Sequence, residues 1–170
     1  MIQSSNMHRH SFYLLPLTLL LLLKWWRMSA TAADLKFLLW PTAQSVELLT
    51  GQSGQWIPDK GYLFQHAGFI VDAGCAGFTF FLLCFLVLTM ALPPGKRNWV
   101  ATPLALLLAL PVTIAANVSR IVTADWGYRH FPTQLSGPTA HELQGGLIYF
   151  FFLAGLYLIA ANLTRPTTLA

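Results

Sequence analysis

Four apolar runs constrain the fold of this chain more than any other feature. They occupy residues 12–26, 77–92, 99–116 and 145–161. A helix needs about 20 predominantly apolar residues to cross a bilayer, and each run approaches that length with its flanking residues. Hydrophobic residues make up 55% of the chain and charged residues only 9%. The sequence therefore predicts an all-α integral membrane protein, a single membrane domain with about four transmembrane helices.

The first apolar run has two interpretations. Arg9 precedes it, as a basic residue precedes the apolar core of a cleaved signal peptide. No clear small-x-small cleavage site precedes Trp25 and Trp26, however, and interfacial tryptophans anchor a helix that stays in the membrane. We expect a retained helix, with a cleaved signal as the alternative.

The segment between the first two apolar runs, residues 31–74, is the most polar part of the chain. Leucines and a valine at helical spacing on both sides of Pro41 favour one or two amphipathic helices on the membrane surface. Tyr62, Phe64 and later Phe69 indicate short extended segments. We expect an amphipathic and irregular cap outside the membrane here, and a second outer connection over residues 121–141.

The distribution of charge predicts the orientation. Lys96 and Arg97 form a short basic loop that would share a face with both termini, and that face carries no acidic residue. Short basic loops remain in the cytoplasm, so we expect both termini inside and the cap outside, although Lys24 and Arg27 depart from this pattern. The ten basic residues form no stripe, which argues against nucleic acid as a partner and for the lipid bilayer.

Three chemically active residues fall on the outer side in this topology. Cys75 precedes the second span, Arg120 follows the third and His141 precedes the fourth. A cysteine thiolate is a nucleophile for acyl transfer, a histidine can move the proton, and an arginine can stabilise an oxyanion. The three residues are therefore candidates for one catalytic site without a cofactor.

Smaller residues around this trio support the interpretation. Gly74 and Gly77 leave space for a peptide backbone beside the cysteine. Asn117 is three residues before the arginine, on the same helical face, where its amide can orient the guanidinium or a substrate. Gly145, four residues after the histidine, leaves the face of the last helix open beside the imidazole.

Two alternatives remain open. A lone cysteine in an apolar run often serves only packing, and an arginine at a helix end often reaches toward lipid head groups. In that case the chain is a non-enzymatic membrane scaffold or assembly subunit. Cys75, His141 and a carboxylate such as Asp72 or Glu142 could instead bind zinc in a metal-dependent membrane protease, but the sequence has no HExxH or paired CxxC motif, and we expect no metal.

The order of these motifs resembles the exosortase/archaeosortase family. Cys-Ala-Gly stands at residues 75–77 at the head of an apolar helix, Asn-x-x-Arg at residues 117–120 at the end of the next, and His141 with Gly145 before the last. The resemblance covers roughly residues 34–161, and the short chain is similar to the smaller, K-type members. Larger members have about eight spans.

The resemblance implies a membrane-embedded cysteine peptidase and transpeptidase of the bacterial inner membrane. Its substrates would be exported proteins with a C-terminal sorting signal, which consists of a short motif, a transmembrane helix and a basic tail. Cleavage would occur at the outer face, followed by transfer of the new carboxyl end to an acceptor. Cys75 matches the family nucleophile, Arg120 the family arginine and His141 the acid/base.

Overall fold

The structure is a computed structural model that describes the backbone of residues 3–91, 98–131 and 138–163. Side chains are described for residues 14–91, 102–131 and 142–162. The elements occur in the order α1 (Gln3–Arg27), α2 (Lys36–Thr50), β1 (Gln55–Ile57), β2 (Gly61–Phe64), β3 (Phe69–Val71), a 3₁₀ turn (Gly74–Ala76), α3 (Phe78–Ala91), α4 (Asn98–His130) and α5 (Pro138–Leu163).

Three of the described helical segments are long and apolar enough to cross a membrane. They are Gly74–Ala91, Thr102–His130 and Glu142–Asn162, and they correspond to the second, third and fourth predicted spans. Helices are the stable form of such segments because hydrocarbon offers no partner for an open backbone N–H or C=O. The fourth span of the predicted set would be α1, a 25-residue helix, and its crossing of the membrane stays a prediction.

The boundaries expected at the outer side of α4 and α5 were wrong. The helix predicted to end at residue 116 continues to His130, so much of the expected loop over residues 121–141 is helical. Helix α4 packs against α2, and no proline occurs in it after Pro111. Helix α5 begins at Pro138 rather than at residue 145, since proline is favoured in the first helical turn. Residues 132–137 of the expected loop lie outside the described part.

The cap contains one amphipathic helix where one or two were expected. Helix α2 accommodates Pro41 and buries Leu38, Leu39 and Val46 on one face. It ends at Gly51, which adopts a left-handed φ of 69° and donates its N–H to the carbonyl of Glu47 at 2.9 Å. A glycine in this conformation is a common helix stop.

An antiparallel sheet in the order β1-β2-β3 completes the cap. The predicted fold class, all-α, does not include this sheet, although the sequence indicated short extended segments in this region. Gly61 is required at its centre, because a Cβ there would lie 2.2 Å from the carbonyl oxygen of Val71, and its φ is 113°. Such close pairing keeps β2 and β3 together despite their short length.

The core joins the cap to the membrane helices. Phe64 from β2, Leu39 from α2 and Phe85 from α3 are fully buried in one continuous cluster. The 3₁₀ turn lies between the sheet and α3, in contact with α2 and β3. Cys75, in this turn, is therefore placed where the cap meets the transmembrane helices.

Candidate functional site

The candidate site begins with the turn that carries Cys75. The Cys75 N–H donates to the backbone carbonyl of Asp72 at 3.0 Å and to its Oδ1 at 2.9 Å. Gly77 comes next with a left-handed φ of 68°, which lets the chain leave the 3₁₀ turn and enter α3. The thiol is free and partly exposed. The turn thus presents a reduced cysteine at the head of a membrane helix, as expected.

Asn117 binds this turn from α4. Its side chain is only 1% exposed, and its Nδ2 donates a hydrogen bond to the backbone carbonyl of Cys75. A buried amide needs such partners, because leaving its donors or acceptor unpaired costs free energy. Asn117 was expected to orient the guanidinium or a substrate. The structure shows its amide bound to the cysteine turn, and the expected role stays a prediction.

Tyr149 of α5 extends the network and was missed by the sequence analysis. Its hydroxyl donates to Oδ1 of Asn117 at 3.0 Å and accepts a hydrogen bond from Nη1 of Arg120 at 3.1 Å. Its ring stacks on Phe80 of α3, with the centroids 4.4 Å apart. The guanidinium carbon of Arg120 lies 5.6 Å from the centre of the same ring. One tyrosine therefore connects three membrane helices around the site.

A spacing signal for Tyr149 was present in the sequence. His141, Gly145 and Tyr149 succeed one another at intervals of four residues, which places them on one face of α5. Tyr149 is the first residue of the aromatic run Tyr-Phe-Phe-Phe, so composition alone does not distinguish it from the phenylalanines beside it. An aromatic residue with a hydroxyl on the same face as two candidate site residues is the pattern that identifies it.

Two glycines give these side chains their space. A Cβ on Gly145 would lie 3.0 Å from Nε and 3.1 Å from Cδ of Arg120. A Cβ on Gly77 would lie 3.3 Å from Thr113 and 3.4 Å from Asn117. Both residues therefore serve the close approach of α3, α4 and α5. Gly74 is exposed, and the nearest atom to a Cβ there is Oδ1 of Asp72 at 3.2 Å.

A cavity of about 390 Å³, which we call the cysteine cavity, brings Cys75 and Arg120 together. One part of its lining is the β3 strand with the turn before it, and another is the part of α4 around Ile121 and Tyr128. Two of the three residues proposed for catalysis thus line one accessible space.

A carboxylate also lines the cysteine cavity. Asp125 projects from α4 and accepts two hydrogen bonds from Arg129, one turn later, at 2.9 Å and 3.1 Å. The side chain of Asp125 is 12% exposed and that of Arg129 is 52% exposed. The charges of Asp125 and Arg129 therefore offset each other at the wall of the cavity. Arg120 is the basic residue that lines the cavity together with Cys75.

The third member of the predicted trio lies at the start of α5. The backbone of His141 is in the first turn of the helix, two turns before Tyr149, whereas its side chain is outside the described part. Among the described side chains, no three His, Cys, Asp or Glu residues come together as a metal site. The role of His141 and the alternative zinc ligands that include it stay predictions.

The comparisons with known proteins identify the family. No curated protein and no solved structure matches this chain. A family model described as transmembrane exosortase matches residues 6–158, which includes Cys75, Asn117, Arg120, His141 and Tyr149. The match extends over most of the chain, from α1 to the last helix, and agrees with helices that can span a membrane. The chain belongs to the transmembrane exosortase family.

Proposed function

We propose that this protein is a cysteine peptidase and transpeptidase that cleaves C-terminal sorting signals of exported proteins. The observation that carries the proposal is the common cavity of Cys75 and Arg120 at the junction of cap and membrane helices. Family membership favours a sorting enzyme over the alternative of a scaffold. The substrate signal would combine a short motif, a transmembrane helix and a basic tail.

The reaction would proceed through a thioester. The Cys75 thiolate attacks the scissile carbonyl carbon, a C–S bond forms, and the carbonyl oxygen takes the negative charge. The C–N bond then breaks, and His141 protonates the departing amine. An amine or hydroxyl acceptor, or water, attacks the thioester, gives up its proton and releases the thiol.

Arg120 is the candidate for stabilising the oxyanion. The hydrogen bond to the Tyr149 hydroxyl at 3.1 Å restricts its position on one side. Its side chain also packs closely against Gly145. A donor held in place before the reaction stabilises developing charge without having to reorganise. Removing one such donor typically slows a reaction about 100- to 1,000-fold.

The wall of the cysteine cavity favours an extended peptide. Five consecutive residues, 67–71, line it, and β3 is at the edge of the sheet. Side chains of a strand alternate between two faces, so a wall made of consecutive residues presents the backbone edge of the strand. A peptide pairing with that edge would run toward Cys75, four residues after Val71.

The proposed orientation is based on the charge pattern. The cap and the cysteine cavity would face the outside of the bacterial inner membrane, with both termini in the cytoplasm. A sorting signal arriving from the cytoplasm would then present its motif at the outer rim. Its basic tail would remain inside.

Co-expression with a substrate tests the proposal. The substrate is a secreted protein from the same source that carries a C-terminal transmembrane helix and basic tail. We expect Cys75→Ala, Arg120→Ala and His141→Ala each to abolish its processing in membranes. Cys84→Ala is the matched control, because Cys84 is buried in α3 away from the cavity, and it should process normally. Full processing by Cys75→Ala would refute the proposal.

A thiol-reactive probe that cannot cross the membrane separates an enzyme from a scaffold. In intact cells whose outer barrier admits the probe, an enzyme should be labelled at Cys75 at a rate that depends on His141. Slow labelling that ignores the histidine would favour the scaffold. Chelator-sensitive processing would favour the metal-dependent alternative.

A further inference from the structure

A second, smaller cavity lies behind the cysteine turn. It has a volume of about 230 Å³, and we call it the arginine cavity because Arg27 at the end of α1 and Arg120 of α4 both line it. Tyr149 and the first residues of α3 complete the lining, whereas no carboxylate lines it in the part of the chain that the structure describes. Two guanidinium groups and the N-terminal end of a helix make this space attractive to an anion.

Arg27 also has a structural contact. Its Nη2 donates to the backbone carbonyl of Ala73 at 2.9 Å, which ties the end of α1 to the cysteine turn. A guanidinium has five N–H donors in a planar fork, so this bond and an anion contact are compatible. The positive charge of Arg27 is thereby held at the cavity.

An apolar groove along α1 lies next to the arginine cavity. Its first stretch has a volume of about 480 Å³, and Phe78 lines both this stretch and the arginine cavity. Its second stretch, of about 330 Å³, shares Leu19 and Leu106 with the first. The lining is therefore polar at the cysteine turn and apolar in the neighbouring stretches along α1 and α4.

The length of this groove distinguishes two kinds of occupant. It runs along α1 from Trp26 to Leu15, which at 1.5 Å per residue is about 16 Å. The hydrocarbon core of a bilayer is about 30 Å thick, so the groove covers about one leaflet. A transmembrane helix needs the full thickness, whereas an acyl chain of one leaflet does not.

We propose that the arginine cavity and the apolar groove together bind one phospholipid, with its phosphate at Arg27 and Arg120 and an acyl chain between α1 and α4. The charge of the head group complements the two guanidinium groups, and the chain fills the groove. The bound lipid would link α1 to the cysteine turn. Arg120 lines both this site and the cysteine cavity, whereas Arg27 does not line the cysteine cavity; lipid binding does not require the proposed reaction.

The experiment measures the shift in thermal unfolding when dioleoyl phosphatidylglycerol is added to the delipidated full-length protein in non-ionic detergent. We expect Arg27→Gln to weaken the apparent affinity for the lipid about tenfold or more, the effect of losing a charge-assisted contact. Lys24→Gln is the matched control, a basic residue one turn earlier that does not line the cavity, and it should bind as the native chain does. Arg27→Gln also removes the hydrogen bond to Ala73. That loss lowers the unfolding midpoint equally with and without lipid, so it does not change the lipid-induced shift of the midpoint.

A second pair of variants tests the groove. Leu19→Trp fills both stretches and should reduce the shift with phosphatidylglycerol, but it should preserve a small shift with inorganic phosphate. Leu21→Trp, on the exposed side of α1, should change neither. An equal lipid shift in Arg27→Gln and Lys24→Gln would overturn the proposal. So would an equal shift with dioleoylglycerol, which lacks the phosphate, or displacement of the lipid by a synthetic transmembrane helix.

Discussion

The hydroxyl of Tyr149 donates a hydrogen bond to Oδ1 of Asn117 at 3.0 Å. Through this bond α5 reaches the amide that holds the carbonyl of Cys75, and the same hydroxyl accepts from Arg120. The cysteine and the arginine are thus positioned by one shared tyrosine on a third helix.

Removing the Tyr149 hydroxyl should weaken the positioning of both Arg120 and the cysteine turn. Tyr149→Phe keeps the ring stacked on Phe80 but leaves Oδ1 of Asn117 without its tyrosine donor. We expect a loss of about 1–3 kcal/mol in the free energy of unfolding and slower processing. Thermal unfolding in detergent and processing of a co-expressed substrate measure the two effects. Tyr157→Phe, on the exposed side of the same helix, should change neither; equal losses in both variants would contradict the shared support.

Adding a methyl group at Gly145 should displace Arg120 specifically. A Cβ there would lie 3.0 Å from Nε of Arg120, the movable end of a side chain, so the fold should tolerate it. A displacement of about 1 Å in a catalytic group can cost about 100-fold in rate, and we expect Gly145→Ala to slow processing by at least about tenfold. Gly146→Ala is the matched control, because nothing lies within 4 Å of a Cβ at that position. Normal processing by Gly145→Ala would contradict the role of Arg120.

Alanine substitutions at Gly77 and Gly68 separate the effect of backbone strain on stability from the effect of side-chain packing. Both adopt a left-handed conformation, with φ of 68° and 70°, so alanine should cost about 1–2 kcal/mol at each. Only at Gly77 would the new methyl contact Asn117 and Thr113. We therefore expect Gly77→Ala to lower the unfolding midpoint further than Gly68→Ala and to reduce processing. Indistinguishable effects would show that Gly77 serves the turn alone.

The carboxylate of Asp72 should stabilise the cysteine turn by its hydrogen bond. Asp72→Ala removes the side-chain acceptor of the Cys75 N–H, and losing such a cap typically costs about 0.5–2 kcal/mol. Asp72→Asn keeps an acceptor oxygen without the charge and should lose less stability. The unfolding midpoint of each variant measures this difference. A loss in Asp72→Asn as large as in Asp72→Ala would assign the effect to charge instead.

Apolar runs predicted the three described segments that are long and apolar enough to cross a membrane, but not their ends. The centres of these segments lie where hydropathy placed them, because a membrane helix is a local property of its own residues. The part of α4 after residue 116 was not predicted, since Ala124 and Gly127 are buried by tertiary packing that the local sequence does not encode. Contacts between distant helices, such as Tyr149 with Asn117, depend on the rotation of each helix, which hydropathy does not encode.

The order in which the site residues are synthesised has a consequence for biosynthesis. Cys75, Asn117 and Arg120 leave the ribosome before α5 does. Until α5 docks, Arg120 and Asn117 lack the tyrosine that joins them. The candidate site is therefore completed only when α5 has been inserted, and a nascent chain halted before residue 138 would carry the cysteine without its assembled surroundings.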